Sequence, residues 1–399
     1  MFAWDAGIGL CFAIMDANDT NEPVAEGQGI AALLASAGPV LFFTTNPGLE
    51  GVVEREWMMR AEVVGCGVRR VVKKPFGYGG QILVEGTGDR AALEEIALSM
   101  RSVHHVQVPV HGFVLPAGDE LGRIERELEE LALGPMEAAG RFRVTTRRSG
   151  EHAFSSMDVQ RVAGAALVRR YGCAVDLQCF DANVRVDIYE QVCLVGWQLT
   201  ERALSKRFHR VFQPRAALKA PVAYGLLQWA RLAPDAAGSL LDPFCGSGTI
   251  LIEAAQVYPG LELHGCDKDD RAVQGARANA EAEGVGGRLE LRRADARGLS
   301  SLYAAGRFRA IVTNPPYGIR FGQHLNFARF YRDILRECWT VLADEGIMVV
   351  VVFKRKVFYR ALMQSGLFKM LEERVVETGD VYPGVYVLEK ITAAQPAIE

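Results

Sequence analysis

Metal-binding and membrane signatures are missing from this sequence. None of its eight cysteines stands in a C-x-x-C pair, which argues against a zinc site. Several cysteines lie in apolar, strand-like runs, where a reduced cysteine packs as a small hydrophobic residue. The apolar run of residues 7–15 is too short to span a bilayer, and no basic segment precedes it. We therefore expect a cytoplasmic protein without a membrane anchor or a metal ion.

A strong overall charge is also absent, because 45 Lys and Arg residues stand against 48 Asp and Glu residues. The net charge of −3 gives no global sign of nucleic-acid binding, but the charge is unevenly distributed. Residues 141–219 contain 14 Lys and Arg and only 7 Asp and Glu. A basic segment in a slightly acidic protein indicates one surface for a polyanion, although a scattered set of solvated arginines would give the same count.

The pattern of apolar residues divides the chain of 399 residues into several parts. Strands and helices alternate between residues 39 and 114 in the β-α-β-β-α-β order of a ferredoxin-like unit, and a second α+β unit follows. From residue 238 the alternation predicts a mostly parallel, doubly wound sheet. The predicted boundaries are a weakly structured extension (1–37), a ferredoxin-like domain (38–115), a second α+β domain (116–200), a connector (201–234) and a Rossmann-like domain (235–399).

The glycine loop that opens the last domain lacks two phosphate-binding signatures. Residues 240–249, LLDPFCGSGT, place Asp242 at a strand end and Gly246 and Gly248 before a helix, so that the backbone can approach a ligand closely. A dinucleotide loop would need a third glycine at the position of Leu251, and a phosphate loop would need Gly-Lys-Ser/Thr. The loop therefore favours a ligand without a pyrophosphate.

Acidic residues end the next two strands. Asp267 is placed to accept hydrogen bonds from ribose hydroxyls, and Asp295 is placed to accept from an adenine amino group. A single aspartate at such a place more often caps a helix, but three at successive strand ends beside a glycine loop make that reading weak. The glycine loop is therefore accompanied by acceptors for ribose hydroxyls and for an adenine amino group, but not by phosphate ligands. This combination indicates S-adenosylmethionine as the cofactor.

The segment TNPPYG (313–318) follows an apolar strand and combines an amide with two prolines. The amide oxygen of Asn314 and the carbonyl of Pro315 are two acceptors for the N–H groups of an exocyclic amine, and the prolines hold their backbone still. Such bonds strengthen as positive charge develops on the attacked nitrogen, which favours the transition state. Tyr317 is placed to stack on the base. These residues predict an amino-methyltransferase site.

The motifs from Asp242 to Tyr317 resemble those of class I amino-methyltransferases over about residues 238–391. The resemblance implies a mostly parallel seven-stranded sheet and a wider set of cofactor-binding residues. The full set is Asp242, Phe244, Cys245, Gly246, Gly248, Thr249, Asp267, Lys268, Asp295, Ala296 and Asn314, with Asn314, Pro315 and Tyr317 as catalytic residues.

An Asn-Pro-Pro-Tyr motif serves adenine N6, guanine N2 and glutamine amides, so the motif alone leaves the substrate open. The region from about 40 to 200, the extension NPPYGIRFG and the segment TGDVYPGVYVLEK are similar to the THUMP-domain tRNA (guanine-N2)-methyltransferases that modify guanosine 6. The resemblance implies a monomer that binds the acceptor stem and the 3′-CCA end of tRNA. The residues expected to contact RNA are Arg143, Arg147, Arg148, His152, Lys206, Arg207, Arg210 and Arg320.

Other functions stay open at this point. A guanine-N2 methyltransferase of ribosomal or small nuclear RNA would carry the same motifs. A DNA adenine-N6 enzyme is disfavoured because no target-recognition region interrupts the catalytic motifs, and a glutamine methyltransferase would not need the basic module. A non-catalytic RNA-binding protein is disfavoured because Asn314, Tyr317, Asp267 and both loop glycines are intact.

Overall fold

The computed structural model describes Ile30, Leu34 and residues 38–214, 217–318, 326–379 and 381–392. Apart from Ile30 and Leu34, the predicted extension (1–37) lies outside the described residues, as does Arg320. The chain divides into two compact units between Leu204 and Ser205, called here the N-terminal and C-terminal units. No helix in the described ranges is long and apolar enough to cross a membrane.

The N-terminal unit is built on one nine-stranded sheet with helices packed against it. Its strands are β1 (Val40–Thr44), β2 (Gly67–Lys73), β3 (Gln81–Thr87), β4 (His105–Val114), β5 (Arg141–Thr145), β6 (Arg148–Ser149), β7 (Ala174–Val175), β8 (Ala182–Tyr189) and β9 (Val192–Gln198). Its helices are α1 (Glu50–Val63), α2 (Arg90–Ser99), α3 (Glu120–Glu130) and α4 (Ser156–Tyr171).

The first half of this unit has the predicted β-α-β-β-α-β order. Its strands are hydrogen-bonded in the order β2-β3-β1-β4, and all three pairs are antiparallel. The buried side chains of β1 and β3, among them Phe43 and Ile82, pack with Trp57 of α1 and Leu93 of α2. The alternate residues Phe42 and Leu83 pack in a second cluster on the other face, so β1 and β3 are buried on both faces.

The second half extends the same sheet instead of forming a separate one. Strand β9 pairs antiparallel with the edge strand β4, and the order continues β9-β8-β5-β7, with β6 also paired to β8. This pairing satisfies the backbone groups of an edge that would otherwise be exposed. Helix α4 begins with a capping box between Ser155 and Asp158 and ends at Gly172 in the left-handed conformation.

The C-terminal unit contains the predicted seven-stranded sheet. Its strands are β10 (Gly238–Asp242), β11 (Leu261–Asp267), β12 (Leu289–Arg293), β13 (Phe308–Thr313), β14 (Leu342–Val352), β15 (Phe368–Val375) and β16 (Gly384–Lys390). Its helices are α5 (Ala220–Trp229), α6 (Thr249–Val257), α7 (Asp270–Ala282), α8 (Phe327–Val341) and α9 (Arg355–Ser365). The strand order is β12-β11-β10-β13-β14-β16-β15; β16 is antiparallel to both β14 and β15, and the other neighbouring pairs are parallel.

This topology places the ends of four neighbouring parallel strands at one edge of the sheet. In the order β12, β11, β10 and β13, the residues at or just beyond the strand ends are Asp295, Asp267, Asp242 and Asn314. Ligands of such sheets bind beyond the carboxyl ends of the strands, where the strand order reverses. The fold therefore brings together the residues that the sequence predicted for cofactor and catalysis.

Candidate active site

The glycine loop between β10 and α6 is held against the neighbouring strand by its own backbone. The N–H of Cys245 donates to the carbonyl of Cys266 on β11 over 2.9 Å. Gly246 and Gly248 have φ of +50° and +80°, and Gly248 precedes the first residue of α6. A side chain at Gly248 would be strained because of this positive φ, which explains the glycine there.

Asp242, at the end of β10, is almost fully buried with 1% of its surface exposed. Its Oδ1 accepts hydrogen bonds from the Thr313 hydroxyl (2.7 Å) and from the N–H of Phe244 (3.1 Å). Burial raises the pKa of Asp242 to about 7, because a desolvated carboxylate is disfavoured. Asp242 therefore joins the glycine loop to the end of β13.

Asp267 and Asp295 already accept hydrogen bonds from the protein. Asp267 accepts from the N–H of Gly246 (3.1 Å) and from that of Asp269 (3.0 Å), so it lies directly beside the glycine loop. Asp295 caps the short 3₁₀ helix Ala296–Ser301 and forms an ion pair with Arg297 at 2.6 Å. Hydrogen bonds from Arg297 hold the pKa of Asp295 below its usual range, so it is an ionised acceptor at neutral pH.

The remaining residues predicted for the cofactor line the same edge. Thr249 is buried with its hydroxyl 3.3 Å from that of Ser247, and the ring of Phe244 meets the ring of Phe330 edge to face. Ala296 is buried behind Asp295, whereas Lys268 is exposed beside Asp267. All of the predicted cofactor residues thus lie in or next to the loops that follow β10, β11, β12 and β13.

Asn314 follows β13 with an unused acceptor. Its Oδ1 is buried and has no hydrogen-bond partner among the described residues. An unpartnered buried oxygen costs free energy, so this oxygen is available to accept from a group outside the described residues. Pro315 is buried, and the hydrogen bond from Thr313 to Asp242 holds the strand end directly before the amide.

Tyr317 is packed tightly in this loop. Its ring lies nearly parallel to that of Phe353, with the centroids 5.8 Å apart, and burial raises the pKa of its hydroxyl to about 12. Gly318 has φ of +76°, and a Cβ there would lie 2.6 Å from the Phe327 ring, so the position requires glycine. Phe353 and Thr313 were not predicted from the sequence; their only signal is that each lies at the carboxyl end of a buried strand.

The arginines predicted to bind RNA lie in different environments within the N-terminal unit. Arg143, on β5, rests over the Phe180 ring at 3.9 Å, and its Nε is buried without an acceptor among the described residues. Burial and the neighbouring Arg185 lower the pKa of Arg143 from its ordinary value. Arg147 is exposed, and its backbone N–H donates to Asp187.

His152 and Arg148 form a local network. Arg148 donates from Nη1 to Nδ1 of His152 over 3.0 Å, and Nε2 of His152 donates to the carbonyl of Glu190 over 2.7 Å. These two bonds require the neutral tautomer with its proton on Nε2. The imidazole of His152 is therefore engaged within the protein in this structure.

The predicted connector residues belong to the C-terminal unit. Lys206 is exposed, whereas Arg207 pairs with the fully buried Glu253 of α6 at 2.9 Å. Arg210 donates to the carbonyl of Leu218 over 2.7 Å, and burial lowers its pKa. The structure thus places Arg207 and Arg210 in contacts within their own unit.

Both halves of the chain match known protein families. Residues 121–197 match the THUMP domain, and residues 207–383 match the RMKL-like methyltransferase domain. Together with the seven-stranded sheet and its loops, these matches define a THUMP-bearing class I methyltransferase.

Individual relatives narrow the assignment. The tRNA (guanine(6)-N2)-methyltransferase of Thermus thermophilus is 37% identical over 351 residues, which cover 87% of this chain and 98% of the relative. The enzyme of that name from Archaeoglobus fulgidus is 28% identical, over 87% of this chain and 91% of the relative. The crystal structure of TrmN from Thermus thermophilus superposes with a TM-score of 0.74 at 36% identity, over 88% of this chain and 99% of that one. The chain belongs to the tRNA (guanine-N2)-methyltransferase family, as the sequence analysis predicted.

Proposed function

We propose that this protein transfers a methyl group from S-adenosylmethionine to the exocyclic N2 of guanosine 6 in tRNA. The observation that carries this proposal is the buried Oδ1 of Asn314, unpartnered among the described residues, at the edge where the glycine loop, Asp267 and Asp295 converge. The family and the curated names of its relatives support the guanine-N2 reaction and tRNA as the substrate.

The residues at this edge fit S-adenosylmethionine. The loop has left-handed glycines but no phosphate signature, and Asp267 is fixed beside it by the N–H of Gly246. When bound, S-adenosylmethionine supplies the electrophilic methyl group of its sulfonium. We assign Asp267 to the ribose hydroxyls and Asp295 to the adenine amino group, with the backbone of Gly246 and Gly248 beside the methionine part.

Asn314 and Pro315 act on the guanine amine. The lone pair of that nitrogen is delocalised into the ring, which makes it a weak nucleophile. The Oδ1 of Asn314 and the carbonyl of Pro315 accept hydrogen bonds from its two N–H groups and stabilise the positive charge that develops on nitrogen. The cationic product amine then loses its proton readily, so no strong base is required. Tyr317 supplies a surface on which the extruded base stacks.

We propose that tRNA binds the N-terminal unit through Arg143. Arg143 and Asn183 are register partners on the parallel strands β5 and β8. Thr145 donates to Oδ1 of Asn183 over 2.7 Å, and Nδ2 of Asn183 has no acceptor among the described residues. Neighbouring Arg185 is already paired with Asp187. Within the described part of the chain, the Nε–H of Arg143 and the Nδ2 of Asn183 are both buried without an acceptor. We propose that the exposed part of the half-buried Arg143 side chain contacts a phosphate group.

The other RNA contacts stay predictions. We expect Arg147, Arg148 and His152 to face the acceptor stem and the 3′-CCA end, and Lys206 to contact RNA from the connector. Arg207, Arg210 and Arg320, which lies outside the described residues, complete the predicted set.

We also propose a monomeric, cytoplasmic enzyme that needs no metal ion. The seven described cysteines are unpaired, and the described residues contain no cluster of three or more His, Cys, Asp or Glu that would suit a metal.

The first experiment incubates the protein with methyl-labelled S-adenosylmethionine and unmodified total tRNA. Digestion to nucleosides and mass spectrometry then identify the labelled species. We expect N2-methylguanosine, and oligonucleotide mapping should place it at position 6. Labelled 6-methyladenosine would contradict the assignment of the amine. Label in ribosomal or small nuclear RNA but not in tRNA would contradict the assignment of the substrate.

A further inference from the structure

Asn279, on α7, makes three hydrogen bonds that join two segments distant from it in the sequence. Its Oδ1 accepts from the N–H of Phe212 over 2.8 Å, and its Nδ2 donates to the carbonyl of Phe212 over 2.8 Å. The same Nδ2 donates to the carbonyl of Ser247 in the glycine loop over 3.0 Å. Only 2% of the surface of Asn279 is exposed. One buried amide therefore holds both the connector and the cofactor loop.

Residues 207–212, called here the strap, are docked on α6 and α7. At one end Arg207 pairs with the buried Glu253 of α6. At the other end the Phe212 ring fills the space above Gly275 of α7, where an added Cβ would lie 2.1 Å from the ring. Between them the N–H of His209 donates to Glu283. The strap is thus attached to the helices that follow both β10 and β11.

The bond to Ser247 orients a particular peptide group. The carbonyl of Ser247 and the N–H of Gly248 belong to one planar unit. The carbonyl accepts from Asn279, and the N–H donates to the carbonyl of Cys245 over 2.7 Å. Ser247 lies between Gly246 and Gly248, whose positive φ values are open mainly to glycine, so the backbone on either side of Ser247 is conformationally permissive. Asn279 therefore fixes the orientation of the loop that approaches the cofactor.

We propose that the strap is a structural part of the cofactor site and that Asn279 is the positioning residue that connects it to the glycine loop. Displacing the strap should then weaken S-adenosylmethionine binding, although no strap residue belongs to the loop. This inference rests on the assignment of the loop to the cofactor in the proposed function. Binding by the unaltered protein tests that assignment separately, before any variant is compared with it.

The test measures S-adenosylmethionine dissociation constants by titration calorimetry on the full chain. Gly275→Ala pushes the Phe212 ring away from α7. Alanine has a higher helix propensity than glycine, so the substitution does not weaken α7 itself. Asn279→Leu replaces the amide with an apolar side chain of similar size and therefore removes all three hydrogen bonds. We expect both variants to bind S-adenosylmethionine about 10-fold more weakly, within the usual range of coupling between two sites. Gly164→Ala on α4 is the matched control, since its Cβ meets no atom closer than 4.0 Å and affinity should not change.

A compensating change separates positioning from general destabilisation. Phe212→Ala removes the ring that clashes with the methyl group added by Gly275→Ala, but it keeps the backbone N–H and carbonyl that Asn279 binds. The double variant should therefore recover affinity relative to Gly275→Ala alone. Unaltered affinity in Gly275→Ala would overturn the role of the strap, even if Asn279→Leu binds weakly. Affinity losses that simply add in the double variant would also overturn the proposal, because they would indicate loss of stability.

Discussion

The Thr313 hydroxyl donates a hydrogen bond of 2.7 Å to the buried carboxyl of Asp242, which lies 71 residues earlier in the chain. The two residues end the neighbouring parallel strands β13 and β10. Thr313 directly precedes Asn314, and Asp242 directly precedes the glycine loop. A single hydrogen bond therefore connects the segment assigned to the cofactor with the segment assigned to the reacting amine.

Thr313→Val should destabilise the C-terminal unit while keeping the shape of the side chain. The change leaves Asp242 with one fewer donor in a buried place, which typically costs about 1–3 kcal/mol. We expect the free energy of unfolding, measured by urea denaturation, to fall by about that amount. Thr313→Ser keeps the hydroxyl and is the control. A Thr313→Val variant as stable as the wild type would contradict this role of the bond.

Asp242 should make stability depend on pH. Its pKa is raised to about 7 by burial, whereas that of an unfolded aspartate is near 4. Between these values the unfolded chain ionises and the native Asp242 keeps its proton, so the native state loses stability as the pH rises from about 4 to 7. Above pH 7 this contribution is constant.

The isosteric variant Asp242→Asn isolates this effect from all other titrating groups. We expect the difference in free energy of unfolding between Asp242→Asn and the wild type to grow in favour of the variant from about pH 4 to pH 7, and then to level off. The measurement is urea denaturation at a series of pH values. A difference that is independent of pH would show that Asp242 does not titrate in this range.

Asn314→Ala should remove methyl transfer while both substrates still bind. The amide oxygen acts mainly on charge that develops in the transition state, and loss of one such group typically lowers kcat by about 100- to 1000-fold. The dissociation constants for S-adenosylmethionine and tRNA should change far less than kcat. Asn314→Asp retains an acceptor and should keep more activity than Asn314→Ala. A wild-type kcat in Asn314→Ala would refute the catalytic assignment.

Phe353→Leu should lower the activity on tRNA more than it weakens cofactor binding. Phe353 lies against the ring of Tyr317, and such aromatic pairs contribute about 0.5–1.5 kcal/mol beyond their buried area. We expect kcat/KM for tRNA to fall several-fold with an unchanged dissociation constant for S-adenosylmethionine. Phe353→Tyr keeps the stacked ring and should restore most of the activity. Equal losses in both variants would show that stacking is not the cause.

Arg143→Met should weaken tRNA binding in a salt-dependent manner. If its guanidinium contacts one phosphate, the slope of log affinity against log salt should decrease by about 1. Filter binding at several salt concentrations measures both quantities. Arg161→Met is the matched control, because Arg161 is 75% exposed on α4 and is paired with Asp158. An unchanged slope in Arg143→Met would place the phosphate contact elsewhere.

Much of the architecture follows from local patterns in the sequence. Period-two alternation predicts strands of the N-terminal unit, and apolar runs that alternate with helices predict the buried strands of the C-terminal unit. The strand–glycine–helix segment around Gly246 and Gly248 predicts the cofactor loop. The turn chemistry of Asn314, Pro315 and Pro316 points to the reacting amine. These signals are readable because backbone geometry and chemistry are encoded within a few neighbouring residues. By itself the sequence thus determined the fold class and the family, and it predicted which residues form the methyltransferase site.

Contacts between distant segments were decided only by tertiary structure. No local pattern in the sequence predicts the hydrogen bond from Thr313 to Asp242 or the pairing of β4 with β9. The same holds for the hydrogen bonds between Asn279 and Phe212, which are 67 residues apart. The sequence also does not predict the environment of individual arginines. The Nε of Arg143 has no acceptor in the described ranges, whereas Arg207 is paired with a buried carboxylate. Such contacts depend on how complete elements pack. The sequence determined which chemistry is present, and packing decided which side chains hold it in place.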